Sequence, residues 1–201
     1  MLLFATLRHI EVSAISVIIS VAVAVPLGIL ITRYRRLAHV VVNSANIGQT
    51  IPSLAILGLV IPLLGIGLKP AVFAIVIRGV LPILNNTYSG IVNVDRFLIE
   101  AGRGMGMKNR EILTLVEMPL SFPVIMAGIR TAAVLSISVA ALAALIGAGG
   151  LGDLIFQGIV MADQNLLLAG SIPTALLAVG TDVGLGWMEK RVKKWQPKQD
   201  F

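Results

Sequence analysis

The stretch LIEAGRGMGMKNREILTLVEMPLSFP, residues 98–123, decides the fold, because it is a long polar passage set between apolar runs. It reads as two short helices about a glycine turn. RFLIEAGRGMGM (96–107) puts Phe97, Leu98 and Ala101 on one side, and Gly102, Gly104 and Gly106 turn the chain. KNREILTLVEM (108–118) is a second amphipathic helix through Ile112, Leu113, Leu115 and Val116. Pro119 ends it, since its ring lacks the N–H that a helix interior needs. A bare connection between neighbouring helices takes roughly 2–8 residues. The segment 93–119 is far longer and reads as a structured knob, suited to docking in a groove on a partner. A helix resting on lipid headgroups is the plainer alternative.

The flanks define what the knob is attached to. Of 201 residues, 57% are hydrophobic and 13% charged, against about a quarter charged in soluble domains. So little polar sequence cannot cover a water-soluble core, and lipid must solvate most of the chain. Five apolar runs reach the roughly 20 residues that a helix needs to cross a bilayer: about 10–32, 44–67, 70–92, 120–147 and 165–187. They are continuous rather than alternating, which favours helices over a barrel. The expected fold is therefore an all-α integral membrane protein of five spans, forming one domain over 1–201. The opening MLLFATLRHIEV has no basic start and runs into a full span, which argues against a cleaved leader. With no cysteine, disulfides, thiolate metal sites and a cysteine nucleophile are excluded.

Basic residues set the orientation. RYRR closes the first span, Arg96, Arg103, Lys108 and Arg110 lie in the long loop, and KRVKK with Lys198 follows the last span. Arg8 and Lys69 fall on the other side. The amino terminus is therefore expected outside, with the loop and the carboxyl terminus cytoplasmic. The net charge of +6 is then a topology signal, and no recognition motif supports binding of nucleic acid.

With the loop so placed, its motif resembles the signature of ATP-binding-cassette importer permeases: E-A-A, three residues, G, nine residues, I-x-L-P. Here Glu100, Ala101 and Gly102 are followed at that spacing by Gly106, then by Val116, Glu117, Met118 and Pro119. Gly102, Val116 and Met118 depart from the pattern by small or apolar exchanges. The resemblance implies the five-span, MetI-like architecture of type I importers. It also implies that Glu100, Ala101, Gly102, Gly106, Val116, Met118 and Pro119 dock on a cytoplasmic ATPase dimer, which binds ATP and Mg. No cofactor is implied in this chain itself. QTIPSLAILGLVIPLLGIG, LPILNNTYSGI, PVIMAGIRTA and IGAGGLGDLIFQGI are similar to the branch importing glycine betaine, carnitine or choline. Methionine permeases are the nearest competitor. A solute-binding protein outside the membrane, and a second permease subunit that is identical or homologous, are the remaining expected partners.

Other chemistry is sparse. His9 and His39 fall on opposite sides of the membrane, each expected at an interface, so they share neither a metal nor a dyad. GAGGLGD (147–153) lacks the lysine of a phosphate loop and reads as an outer turn or a lip for a delivery protein, with Asp153 in it. Phe73, Tyr88, Phe122 and Phe156 are too scattered for an aromatic cage around a quaternary ammonium, which leaves affinity to the binding protein. Polar residues within spans are path candidates: Gln49 and Thr50 at the inner end of the second span, Asn85 in the third, and Ser136 and Ser138 in the fourth. Arg78 lies about 12 Å deep by helix rise. It shares a stripe with Ala71, Ala74, Pro82, Asn85 and Ser89, opposite Phe73, Val76, Ile77, Val80, Ile83, Leu84 and Ile91. It is expected to face the path or to pair with Glu11. A self-sufficient carrier or channel is the rival from another class. It would need an inverted repeat or membrane carboxylates, and only Glu11 and Asp182, both near span ends, are available. A membrane scaffold whose loop merely docks a partner is a third reading.

Overall fold

A computed structural model describes residues 1–193, and these fold into helices with no strand among them. Lys194 and Lys198 of the expected basic tail lie outside the described residues. Four helices are long and apolar enough to cross a membrane: Leu2–Thr32 (α1), Leu68–Val92 (α4), Asn109–Ile146 and Gln164–Lys193 (α9). A bent pair makes a fifth if it counts as one span. The first span starts earlier than expected, at Leu2, because the apolar opening residues continue the helix.

The second expected span, 44–67, is not one helix. It is α2 (Arg35–Thr50) and α3 (Ser53–Leu64), bent by 101°. Pro52 is the cause. It has no N–H to return to Gly48, and its ring disfavours the helical conformation at the preceding residue. Ile51 accordingly takes φ −69° and ψ 127°, which is extended backbone. The helix also begins nine residues before the apolar run, inside the basic tract.

α4 is the axis of the bundle, with α1, α2, α3 and α7 (Met118–Ala143) around it. Small side chains set the approach. On α1, His9, Val12, Ser13, Ser16, Ser20, Ala24 and Gly28 are buried along one face, and the three serine hydroxyls bond back to carbonyls one turn earlier. A Cβ on Gly79 of α4 would stand 2.5 Å from the Ser20 oxygen, and one on Gly128 of α7 would stand 2.6 Å from Asn86 Cβ. Helix seams in lipid gain from such close packing, since burial of apolar surface gives no drive there. The expected stripe on α4 is buried at Ala71, Ala74 and Pro82, but Ile83, Leu84 and Ile91 from the opposite face are buried too. A central helix has no lipid face over those turns.

Beyond α7, a short 3₁₀ turn (Ala144–Ile146) leads into Gly147–Gly150, three of whose residues have positive φ. The glycine-rich segment is only partly a turn. Its last residues open an 11-residue helix, α8 (Leu151–Met161), which forms a hairpin with the start of α9. His9, expected at an interface, is instead 1% exposed. Its Nε2 lies 3.0 Å from the Ile137 carbonyl oxygen of α7, and its ring packs beside Gly150. His39 is exposed next to Asn43.

Candidate functional site

At one end of the bundle the loop forms a projecting knob. Helix α5 (Arg96–Gly104) starts at Asp95, whose carboxylate accepts the Phe97 N–H at 2.8 Å. Gly102 and Gly104, expected in the turn, belong to this helix; the turn rests on Gly106, at φ +84°. That conformation is in the left-handed region, where a Cβ is unwelcome. Gly102 has a packing reason instead. A Cβ there would come within 3.1 Å of the Met107 sulfur and 3.6 Å of Ile112. The second helix begins at α6 (Asn109–Ile112), where the Glu111 carboxylate accepts the Lys108 N–H at 2.7 Å.

Pro119 does not end that helix. A π turn, Leu113–Glu117, joins α6 directly to α7, and Pro119 sits in the first turn of α7. The wider turn leaves room for the ring, so the loop and the span form one continuous rod. Ala101, Glu100 and Pro119 are at the surface, and Val116 and Met118 are half-buried. Phe97, Leu98, Met105 and Leu115 are exposed around them. A polar knob thus carries an apolar surface.

Sequence reasoning missed the contact that holds the knob to the bundle. Glu117 is 4% exposed, and both of its oxygens accept from the Arg33 guanidinium just beyond α1, with Nη1 at 3.2 Å from Oε1 and Nη2 on Oε2. The bidentate arrangement is the strong form of this pair. Removing Arg33, itself 42% exposed, would leave the buried Glu117 carboxylate without this partner. The available signal was a carboxylate between Val116 and Met118, a place that demands a partner.

A second polar centre lies at the α2–α3 elbow. Arg78 Nη1 donates to the Gln49 carbonyl at 2.9 Å and to the Ile51 carbonyl at 3.1 Å. These are carbonyls that the bend removes from the helical ladder, at the negative end of the α2 dipole. Arg78 therefore does not pair with Glu11, which holds Arg8 at 2.8 Å. Gln49 and Thr50 are exposed at the elbow, beside the middle of α4 rather than at the end of a span. Further along, Asn85 donates to Asn46 of α2 at 2.8 Å. The structure thus gathers Gln49, Thr50, Arg78 and Asn85. Ser138 is exposed on α7, bonded back to Val134, whereas Ser136 is buried against α4 near Gly79.

The geometry among the described residues is an all-helical bundle, with a projecting knob at one end and a polar elbow within it. Residues 24–194 match the family described as the inner membrane component of binding-protein-dependent transport systems. The chain belongs to that family. It is 49% identical over 191 residues to the carnitine transport permease protein OpuCB of Listeria monocytogenes, covering 95% of this chain and 88% of that one. To the choline transport system permease protein OpuBB of Bacillus subtilis (strain 168) it is 48% identical over 191 residues, with 95% and 88% covered. A solved structure of the MetNI methionine ABC transporter in an inward-facing conformation aligns with TM-score 0.86 over 96% of each chain at 20% identity. That likeness is one of fold.

Proposed function

We propose that this permease is the membrane subunit of an ATP-driven importer of quaternary-amine compatible solutes, of the glycine betaine, carnitine or choline kind. The observation that carries the reading is near-half identity, over almost the whole chain, to permeases named for carnitine and choline. The methionine alternative has only a fold-level likeness behind it. A self-sufficient carrier is disfavoured because its two possible coupling carboxylates are engaged by arginines: Glu11 by Arg8, and Asp182 by Arg130 at 2.6 Å.

In this reading 1–201 is one permease domain, with its amino terminus outside. The knob at 93–119 faces the cytoplasm and docks on a separate ATPase dimer, which binds ATP and Mg and carries out hydrolysis. Glu100, Ala101, Gly102, Gly106, Val116, Met118 and Pro119 form or shape the docking surface. A binding protein delivers the solute from outside. The path runs between this chain and a second permease, along Gln49, Thr50, Arg78, Asn85 and Ser138; Ser136, buried inside the bundle, supports the wall rather than lining it. The test is reconstitution with candidate cassette ATPase and solute-binding subunits from the same genome. Uptake of labelled betaine, carnitine or choline should require ATP and the binding protein, and uptake that persists without ATP would overturn the reading. Introduced cysteines at Lys69 and Asp153 should label from outside intact cells, and one at Lys108 only after permeabilisation.

A further inference from the structure

α1 is tied at both ends to elements that other parts of the molecule would move. At the knob end, Arg33 holds the buried Glu117, the last residue of the π turn and the centre of the Val116–Pro119 motif. At the opposite end, His9 meets the Ile137 carbonyl and packs on Gly150, while Arg8 Nε donates to the Ala148 carbonyl at 3.4 Å. The helix is unbroken from Leu2 to Thr32, and from His9 to Arg33 it covers about 36 Å at 1.5 Å per residue. Glu117 faces inward, away from the knob's exposed apolar surface, so it is placed to hold the knob rather than to touch what docks there. π turns recur at functional sites, and here one supplies the carboxylate.

We propose that Glu117 and Arg33 are positioning residues through which the knob moves α1, so that α1 carries the displacement to the turn at 147–150. The proposal rests on the reading of the knob as the ATPase docking surface. α7, continuous with the knob, is the competing route. If α7 alone transmitted movement, breaking the Arg33–Glu117 pair would leave transport per ATP unchanged. A spatial connection is not by itself coupling, so the test measures coupling directly.

Complexes with the ATPase are purified and placed in vesicles with loaded binding protein, and uptake is measured per ATP hydrolysed. Glu117→Gln and Arg33→Gln should each retain the ATPase on purification, yet lower uptake per ATP by roughly fivefold or more. The double variant should be no worse than either single, as for residues acting as one unit. The charge exchange Arg33→Glu/Glu117→Arg should recover at least half of the loss. A cysteine at Asp153, beyond the 147–150 turn, should label at a rate that changes when ATP is added, and Glu117→Gln should abolish that change. Normal uptake per ATP in an assembled Glu117→Gln complex overturns the proposal. So do single effects that multiply in the double variant, or an ATP-responsive Asp153→Cys label in the Glu117→Gln background. Failure of the unmutated chain to retain the ATPase is a different result, and it removes the docking reading itself.

Discussion

At the elbow, in helices that together are apolar enough for one span, α2 presents Asn43, Asn46, Gln49 and Thr50 at its surface. At the knob, in a polar stretch between apolar runs, the surface presents Phe97, Met105 and Leu115. Each region has the wrong polarity for its surroundings, in opposite senses. Polar groups at membrane depth are costly unless they meet water or other polar groups, which fits a path at the elbow. An apolar patch outside the membrane fits a protein partner at the knob. Each region also contains a proline and is held by one arginine. At Pro52 the chain turns, and Arg78 collects two carbonyls that the bend frees. At Pro119 the helix continues, with Met118 still at φ −63° and ψ −48°. An interior proline costs a helix about 3 kcal/mol, so neither the bend nor the continuity follows from the ring alone. What decides is how the surrounding backbone is accommodated: by a cation in one case, by a wider turn in the other.

The largest effect is expected at the knob's apex. Nothing lies within 4 Å of a Cβ built on Gly106, so the chain itself does not clash with a larger side chain there. Gly106→Ala should then cost only the strain of the left-handed turn, about 1 kcal/mol. Gly106→Trp fills the space in front of the knob, and should abolish both uptake and co-purification of the ATPase while the chain still inserts. Uptake by the Trp variant at a normal rate would show that the apex meets nothing.

Next in size is Arg78→Leu, which takes the charged donor from two exposed elbow carbonyls and leaves only water to replace it. Uptake should fall roughly tenfold or more, since a tenfold change needs only about 1.4 kcal/mol in the barrier. Val80→Leu, two residues away, should be mild. Arg78→Lys should recover part of the loss, because an ammonium can still donate to carbonyls but lacks the spread of the guanidinium. Full activity of Arg78→Leu, at normal abundance in the membrane, would reduce the elbow contact to packing.

The two prolines offer a smaller and sharper comparison. If Arg78 holds the bend, Pro52→Ala should keep the elbow and lower uptake by roughly twofold to fivefold, well short of the Arg78→Leu loss; tenfold here corresponds to about 1.4 kcal/mol. Pro119→Ala restores an N–H to an already continuous helix, and thermal stability in detergent should stay the same or rise slightly. A larger loss from Pro52→Ala than from Arg78→Leu would assign the bend to the ring.

Much of this was legible in the sequence for local reasons, and the rest was not for the same reasons. Span lengths and the loop motif are contiguous patterns, so α4, α7, α9 and the positions of Glu100 and Gly106 could be read directly. The elbow was hidden because an apolar run gives no sign of direction, and Pro52 resembles Pro26, Pro62 and Pro82, which stay inside helices. Depth marks Arg78, and of its two expected settings the pairing with Glu11 is the one the structure replaces. The acceptors of Arg78 are backbone carbonyls, which every residue has and no sequence pattern marks. The Arg33–Glu117 pair spans 84 positions, and His9 meets α7 across 128. Neither separation leaves a local trace.

The smallest expected effect is the most discriminating for the knob. Glu100, the first residue of the motif, pairs with Arg96 at 2.9 Å, but both side chains are largely exposed, at 59% and 88%. An exposed pair one helical turn apart contributes a few tenths of a kcal/mol at most, about 0.3–0.5 in helices. The α5 helix keeps its Asp95 cap and its packing through Gly102 without it. Glu100→Ala should therefore leave the knob folded and thermal stability unchanged. Any fall in uptake, expected at about twofold to threefold for an interaction near 0.5 kcal/mol, must then come from a lost contact with the ATPase. Glu100→Gln separates charge from shape: if the carboxylate meets a cation on the partner, the loss should match that of Ala and should shrink as salt is raised, because screened pairs contribute less in the unmutated chain too. Equal uptake by all three chains at low salt would place Glu100 outside the docked surface and shift the contact to Phe97, Met105 and Leu115.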